Sequence, residues 1–215
     1  MQDPSAKGRP SLAYERGYWA SGYRLVAGLD EAGRGALAGP VVAAAVILSP
    51  DGRHETLLAA GVRDSKQLTS QRRERLFELI CQQAEAWAVG LVAASEIDRL
   101  GIVPATRQAM GLALQRLPLP PEALLIDCMY LPEQALPQQP IVHGDQLSLS
   151  IAAASILAKV TRDRMLVGYE SAYPGYGFAR HKGYGTAAHR AALAQLGPCA
   201  LHRRSFRPVQ EVLAR

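Results

Sequence analysis

Four acids stand where apolar segments stop. Asp30 and Glu31 close the run Arg24-Leu-Val-Ala-Gly-Leu29, Asp127 directly follows Ala123-Leu-Leu-Ile126, and Asp145 lies just past Ile141-Val-His143. If these runs are strands of one α/β sheet, the residues beyond their ends gather at one edge, where sites form. Carboxylates converging there repel and raise one another's pKa unless a cation neutralises them. Oxygen-only ligands suit Mg²⁺ or Mn²⁺ rather than zinc or copper. Such ions held by carboxylates are the usual apparatus for cutting phosphate esters, often in pairs. Any one acid ends a strand or caps a helix as readily as it binds metal; four together favour metal. Neighbouring strand residues point to opposite faces, so the backbone is expected to turn at Glu31 to bring both acids to one site. Gly33 and Gly35 permit that.

Gly33-Arg34-Gly35 can present backbone amides to an anion or a hydroxyl, although a lone Gly-x-Gly is a weak signal. Lys66, in Asp64-Ser-Lys66, is one of four lysines beside twenty arginines. It either meets a phosphate or sits in water, and the residues alone favour water. The patterns GxxxxGK[ST], GxGxxG and GxSxG are absent, so neither a nucleotide-cofactor enzyme nor a serine hydrolase is supported.

The elements that must position these groups follow from patterning. Strands are expected at Arg24–Leu29, Val41–Leu48, Val89–Ala94, Ala123–Ile126 and Ile141–His143; the second is apolar throughout and so buried on both faces. Helices are expected from a Thr69 or Ser70 cap to about Ala86, over Pro104–Leu117, over Ser148–Gly168 with four alanines that allow close packing, and over Thr186–Leu196 as the last regular helix. Tyr173–Gly185 reads as a loop. Residues 1–20 lack periodicity and are expected as a loose tail; residues 21–215 form one domain. The alternation implies an α/β mixed sheet covered by helices.

The composition is globular: 48% hydrophobic and 20% charged over 215 residues. The longest apolar run, Val41–Leu48, is too short to cross a bilayer. The polar stretch Met1–Pro10 is neither a secretory signal nor an anchor. Cys81, Cys128 and Cys199 form no CxxC pair and read as reduced, buried thiols of a cytoplasmic protein. Cys199 and His202 have ligand-like spacing, but two ligands do not make a zinc site. The net charge of +5 is uneven: residues 180–215 hold seven Lys/Arg against one Glu. A polyanionic partner near that end and a merely solvated face fit the charge equally well.

Longer stretches are more specific. Gly28-Leu-Asp-Glu-Ala-Gly-Arg-Gly-Ala-Leu-Ala-Gly-Pro-Val-Val-Ala-Ala-Ala-Val-Ile-Leu48 resembles the signature of type 2 ribonuclease H, the bacterial ribonuclease HII family. The resemblance continues through Asp64-Ser-Lys-Gln-Leu68, Gly144-Asp145, Ser150–Arg164, Tyr173–Phe178, His181-Lys-Gly-Tyr-Gly-Thr186 and His202-Arg-Arg-Ser-Phe-Arg-Pro208, in family order.

The resemblance implies a ribonuclease H-like fold, here a mixed five-stranded sheet flanked by helices, with a C-terminal helical extension from about residue 170 to 215. It implies a metal-dependent endonuclease acting on RNA–DNA hybrids and on duplex DNA that contains ribonucleotides. Asp30, Glu31, Asp127 and Asp145 match the catalytic, metal-binding acids, served by Mn²⁺ or Mg²⁺, two ions during catalysis. Gly33, Arg34 and Gly35 match the turn that senses the 2′-hydroxyl, and Tyr184 matches the tyrosine that packs on the sugar. Lys66 matches a phosphate contact, which reverses the reading from the residues alone, and Asp163 matches an acid near the site. A cytoplasmic monomer without membrane contact is expected. Two departures stand out: Cys128 replaces the glycine that commonly follows the third acid, and Leu147 stands where a polar or basic residue is common. The rival from another class is a non-catalytic hybrid-duplex-binding module, which needs the basic segment and the glycine turn but not four acids. A weaker enzymatic rival is type 1 ribonuclease H, which requires runs of ribonucleotides.

Overall fold

A computed structural model describes residues 9–52 and 54–214. Its centre is a five-stranded sheet of β1 (Val26–Ala32), β2 (Val41–Ile47), β3 (Ala86–Val92), β4 (Ala123–Asp127) and β5 (Gln138–Ile141), in the order β3-β2-β1-β4-β5. β1 pairs antiparallel with β2 and parallel with β4, so the sheet is mixed, as the alternation of elements implies. The helices are α1 (Ala13–Ala20), α2 (His54–Ala59), α3 (Ser70–Gln83), α4 (Ala94–Leu100), α5 (Ile102–Gln115), α6 (Leu149–Gly168), α7 (Phe178–His181), α8 (Ala187–Leu196) and α9 (Arg207–Leu213).

Strand alternation sends one set of side chains to each face. Val42, Ala44 and Val46 pack with the alanines of α6 and with Leu76 and Ile80 of α3. Leu29, Val41, Ala43, Ala45 and Ile126 pack with Ala109, Met110 and Ala113 of α5. β2 is therefore buried at every position, which its unbroken apolar run foretold. The alanines of α6 let the helix lie nearly on the sheet. At Gly28 in β1 a Cβ atom would fall 2.3 Å from the carbonyl carbon of Ser150, so only glycine fits there.

Residues 1–8, part of the expected tail, lie outside the described residues. Residues 13–20, also expected to be loose, instead form α1 and are docked. The Glu15 carboxylate is fully buried and accepts hydrogen bonds from Ser148 Oγ (2.6 Å), Ser150 N (2.9 Å) and Ser150 Oγ (2.7 Å). Tyr14, Tyr18 and Trp19 pack beside this anchor only partly buried, so the helix leaves no clear apolar period to read. The edge strands also shift. β3 begins at Ala86 rather than Val89, and β5 is the polar stretch Gln138–Ile141 rather than Ile141–His143, with Pro140 tolerated because the strand is at an edge. Helices α2, α4 and α9 are additions, each of only six or seven residues. The loop read at Tyr173–Gly185 contains one further turn of helix, α7.

Candidate active site

The four acids do meet at one edge of the sheet. Asp30 and Glu31 sit near the end of β1, and Asp127 ends β4, the parallel neighbour. Asp145 lies in a 3-10 turn, Gly144–Gln146, between β5 and α6. The backbone does not turn at Glu31. The ladder to β2 runs on through Glu31↔Ala43 and Ala32↔Val42, and the turn comes at Gly33, with φ +94°. Pairing with β4 stops at Leu29↔Ile126, so Asp30 and Glu31 overhang that side of the sheet and both feel Asp127.

Local hydrogen bonds orient the carboxylates. Asp30 Oδ1 accepts from the Glu31 amide at 2.6 Å, and Asp127 Oδ1 accepts from the Gly144 amide at 2.8 Å. Arg34 donates to Glu31 Oε1 at 3.3 Å, and the Lys66 ammonium lies 3.9 Å from Asp145 Oδ2. Burial raises the pKa of Asp30 well above the carboxylate range, and the charges of Glu31 and Asp127 push it the same way. Burial also raises Glu31, against the pull of Arg34. Asp145 is pushed up to about 6 by burial, then by Asp64 and Asp127, with Lys66 opposing. For Lys66, burial pulls its pKa down, but Asp145, Asp30, Asp64 and Asp127 outweigh it and the net shift is upward.

This edge is an acid cluster short of positive charge. Glu31 Oε2 is buried and has no hydrogen-bond partner among the described residues. Among the described residues, no three His, Cys, Asp or Glu side chains are already closed around one point. The donors are nevertheless all oxygens, with raised pKa values at Asp30, Glu31 and Asp145 and one orphaned atom, and that chemistry fits a hard divalent cation.

Beside the acids is a cleft of about 490 Å³ lined by Glu31, Gly33, Arg34, Gly35, Lys66 and Tyr184, all singled out from sequence. Ala32, Ser65, Ser155 and Lys159 complete its wall, and the sequence reading missed them. Ser155 Oγ lies 2.9 Å from Ser65 Oγ, and its hydroxyl pulls the pKa of Asp30 down against the burial that raises it. Asp64 was missed as well; it is buried, caps the Lys66 amide at 2.9 Å and adjoins Asp145. Its only sequence signal was its place before Ser65-Lys66. Asp163 is not among the acids. It pairs with Lys159 at 2.8 Å and Arg73 at 3.9 Å, next to a neighbouring cleft.

The glycine turn is gripped from behind by two buried arginines. Arg162 of α6 donates to the carbonyls of Pro40 (2.9 Å), Ala38 (2.9 Å) and Lys182 (2.8 Å). Arg203 donates to the carbonyls of Gly39 (3.0 Å) and Arg34 (2.8 Å). A Cβ on Gly33 would lie 2.0 Å from Arg162 Nε, so this glycine is required twice over, by φ and by contact. Tyr184 lies under Lys159 and Arg162, whose cations are 5.1 and 5.2 Å from its ring centre.

The profile of the Ribonuclease HII family matches residues 27–209. The chain belongs to the ribonuclease HII family. It is 56% identical over 204 residues to the ribonuclease HII of Chloroflexus aurantiacus, covering 95% of this chain and 96% of that one. It is 56% identical over 200 residues to that of Roseiflexus castenholzii, covering 93% and 89%. Among solved structures it is similar to the ribonuclease H2 of Pyrococcus horikoshii OT3, with TM-score 0.73, 27% identity, and 88% and 97% of the two chains covered. The ribonuclease H-like fold and the type 2 endoribonuclease activity follow from that membership, and the non-catalytic rival is set aside. The family's substrate class is the RNA–DNA hybrid.

Two features from the sequence resolve within this family fold. Cys128 holds φ +48°, the left-handed region where glycine is at ease, and its thiol is exposed rather than buried as expected. Leu147 is exposed as well. No helix among the described residues is long and apolar enough to cross a membrane.

Proposed function

We propose that the chain cleaves the phosphodiester on the 5′ side of a ribonucleotide, in RNA–DNA hybrids and at single ribonucleotides embedded in duplex DNA. The observation that carries this is the acid cluster, with its orphaned Glu31 oxygen, opening onto the cleft of Gly33–Gly35, Lys66 and Tyr184. Asp30, Glu31, Asp127 and Asp145 are the residues that would hold Mg²⁺ or Mn²⁺. Such cations, when bound in pairs, supply an activated water at neutral pH and charge stabilisation at the leaving oxygen.

The chain's own groups supply selection and placement. Backbone amides around Gly33–Gly35 meet the 2′-hydroxyl, the atom that tells RNA from DNA. No base edge is read, so sequence preference is weak. The Tyr184 ring packs on the sugar, and Lys66 and Arg34 meet phosphate oxygens. Asp163 orients Lys159 rather than touching substrate. Water adds to phosphorus, the bond from phosphorus to the preceding nucleotide's 3′ oxygen breaks, and that oxygen takes a proton. The products carry 3′-hydroxyl and 5′-phosphate ends. A monomer of the cytoplasm belongs to the same reading: all three cysteines are unpaired, as suits a reducing compartment, and sedimentation tests the monomer.

The test is a duplex with one embedded ribonucleotide, with Mg²⁺ or Mn²⁺. Cleavage on its 5′ side is expected, and this substrate also separates the chain from type 1 enzymes. Asp30→Asn is expected to abolish cleavage yet keep duplex binding, which rests on phosphate contacts. A folded protein that leaves the duplex whole overturns the proposal.

A further inference from the structure

Behind the cleft lies a cluster that the activity above does not use: buried His181, His189 and His202 with half-buried Cys199, packed around Phe178. His181 and His189 stack with ring centres 4.3 Å apart, and the fully buried Phe178 meets His181 and His189 edge-on.

The backbone fixes each proton. His202 Nδ1 accepts from the Cys199 amide at 3.0 Å, so that nitrogen is bare and the ring proton sits on Nε2. His189 Nδ1 lies 3.0 Å from the Tyr184 carbonyl, which can only accept, so His189 is protonated there and its Nε2 is bare. The two Nε2 atoms are 3.1 Å apart, and the one consistent arrangement has His202 Nε2–H donating to His189 Nε2. His181 follows the same logic: Nδ1 accepts from the Gly183 amide at 3.2 Å, and Nε2–H donates to the Tyr176 carbonyl at 2.7 Å. All three rings are neutral and every ring nitrogen is satisfied.

The link joins two segments that both hold the glycine turn. On one side the Gly183 carbonyl accepts from the Leu37 amide at 2.8 Å, and Ala36 bridges to Tyr184. On the other, the Gly39 amide donates to Leu201 at 2.8 Å, the Arg203 amide donates to Leu37 at 2.9 Å, and Ala38 bridges to His202. The chain after Gly33 is thus clasped between the Tyr184 segment and the 201–203 segment. Between those two segments, His189 and His202 form a direct side-chain tie.

We propose that His189 and His202 are positioning residues: their neutral Nε2–H···Nε2 bond holds Tyr184 and the glycine turn in register for the substrate sugar. This rests on the cleavage reading above. Neither imidazole reaches the cleft, so the effect falls on placement of the reacting phosphodiester and not on duplex affinity.

Two measurements test it. In the wild-type protein, long-range ¹H–¹⁵N spectra are expected to show His189 protonated on Nδ1 and His181 and His202 on Nε2; His189 protonated on Nε2, or a charged pair at neutral pH, overturns the tie. On a duplex with one ribonucleotide, His202→Phe is expected to lower kcat about tenfold with KM within about twofold. His202→Gln keeps a donor near Nε2 and is expected to recover most of the loss. Combined with Tyr184→Ala, His202→Phe should add less than about twofold beyond Tyr184→Ala alone, because coupled residues are non-additive. A His202→Gln protein as slow as the Phe variant, or multiplying losses in the double variant, overturns the proposal. If wild type cleaves nothing, the cleavage reading fails, while the tautomers still judge the tie. If a variant fails to fold, the wild-type spectrum decides.

Discussion

Replacing one of the four acids should stabilise the protein that it disables. Asp145 is 3% exposed, and burial with the nearby Asp64 and Asp127 lifts its pKa from 3.8 to about 6. At 1.36 kcal/mol per pKa unit, that rise corresponds to about 3 kcal/mol against the charged form. Water reaching the cleft edge screens part of it, so about 1.5 kcal/mol is the expected net. Because the folded-state value lies above the unfolded one, the penalty is absent below about pH 3.8 and complete above about pH 6. Asp145→Asn removes the charge. Its cost at Lys66 is small, since that side chain is 80% exposed. In EDTA near pH 8, thermal melting of Asp145→Asn should rise by about 3–6 °C over wild type. Near pH 4 the two should melt together. Millimolar Mg²⁺ or Mn²⁺ should lift wild type and shrink the gap, because ligands that bind only the folded state stabilise it. An Asn variant no more stable than wild type in EDTA near pH 8, or a gain that persists near pH 4, would refute the account of the site as a charge-frustrated cation cradle.

Gly28→Ala sets a Cβ 2.3 Å from backbone of Ser150, which cannot step aside, and should cost at least about 2–3 kcal/mol in denaturant unfolding; a loss under about 1 kcal/mol would contradict the close approach of β1 and α6. Cys128→Gly releases a left-handed residue but adds unfolded-state freedom, so a gain between zero and about 1 kcal/mol is expected, and a loss above that size counts against backbone strain there. His202, surrounded by His189, His181, Tyr176 and Cys199, has its pKa pulled down from 6.5 to about 4 by burial, then by His189. A depressed histidine stabilises the fold above about pH 6.5 and loses that contribution as pH falls towards 4, at most about 3 kcal/mol; His202→Gln should flatten this acid limb, and an unchanged limb would place the titration elsewhere.

The core strands and the long helices were legible because burial on both faces, or on one helix face, leaves a period. Of the two caps offered for α3, Thr69 or Ser70, the structure uses Thr69, and Ser148, expected as the first residue of α6, is its N-cap. The edges were less legible: β5 exposes Pro140 and buries only Ile141, so its position depends on pairing with β4 and not on its own side chains. α1 is held by Glu15 against Ser148 and Ser150, a contact across more than 130 residues that no local pattern announces. The site residues showed the same divide. Acids ending strands can be read one at a time, but Ser155, Lys159 and Asp64 enter the site only through how α6 and the turn before α3 cross the sheet edge.

Charge counting was least informative where it looked most so. Of the seven basic residues in 180–215, Arg203 is fully buried and donates to the carbonyls of Gly39 and Arg34, Arg207 pairs with Glu211, and Lys182 is engaged with the carbonyl of Ala179. Arg162, outside that segment, is buried likewise. A guanidinium suits this work because its fixed fork meets several carbonyls at once and keeps its charge at neutral pH, even though burial pulls the pKa of Arg203 down to about 9. The positive charge that suggested a surface for phosphates is therefore partly spent inside, holding the backbone of the Gly33–Gly39 turn. Exposed Lys66 and Arg34, from the near-neutral remainder of the chain, face the cleft instead. On the proposed reading, affinity and selectivity then rest on different cations: exposed Lys66 and Arg34 would bear on how tightly a duplex is held, and buried Arg162 and Arg203 on whether the turn they support meets a 2′-hydroxyl.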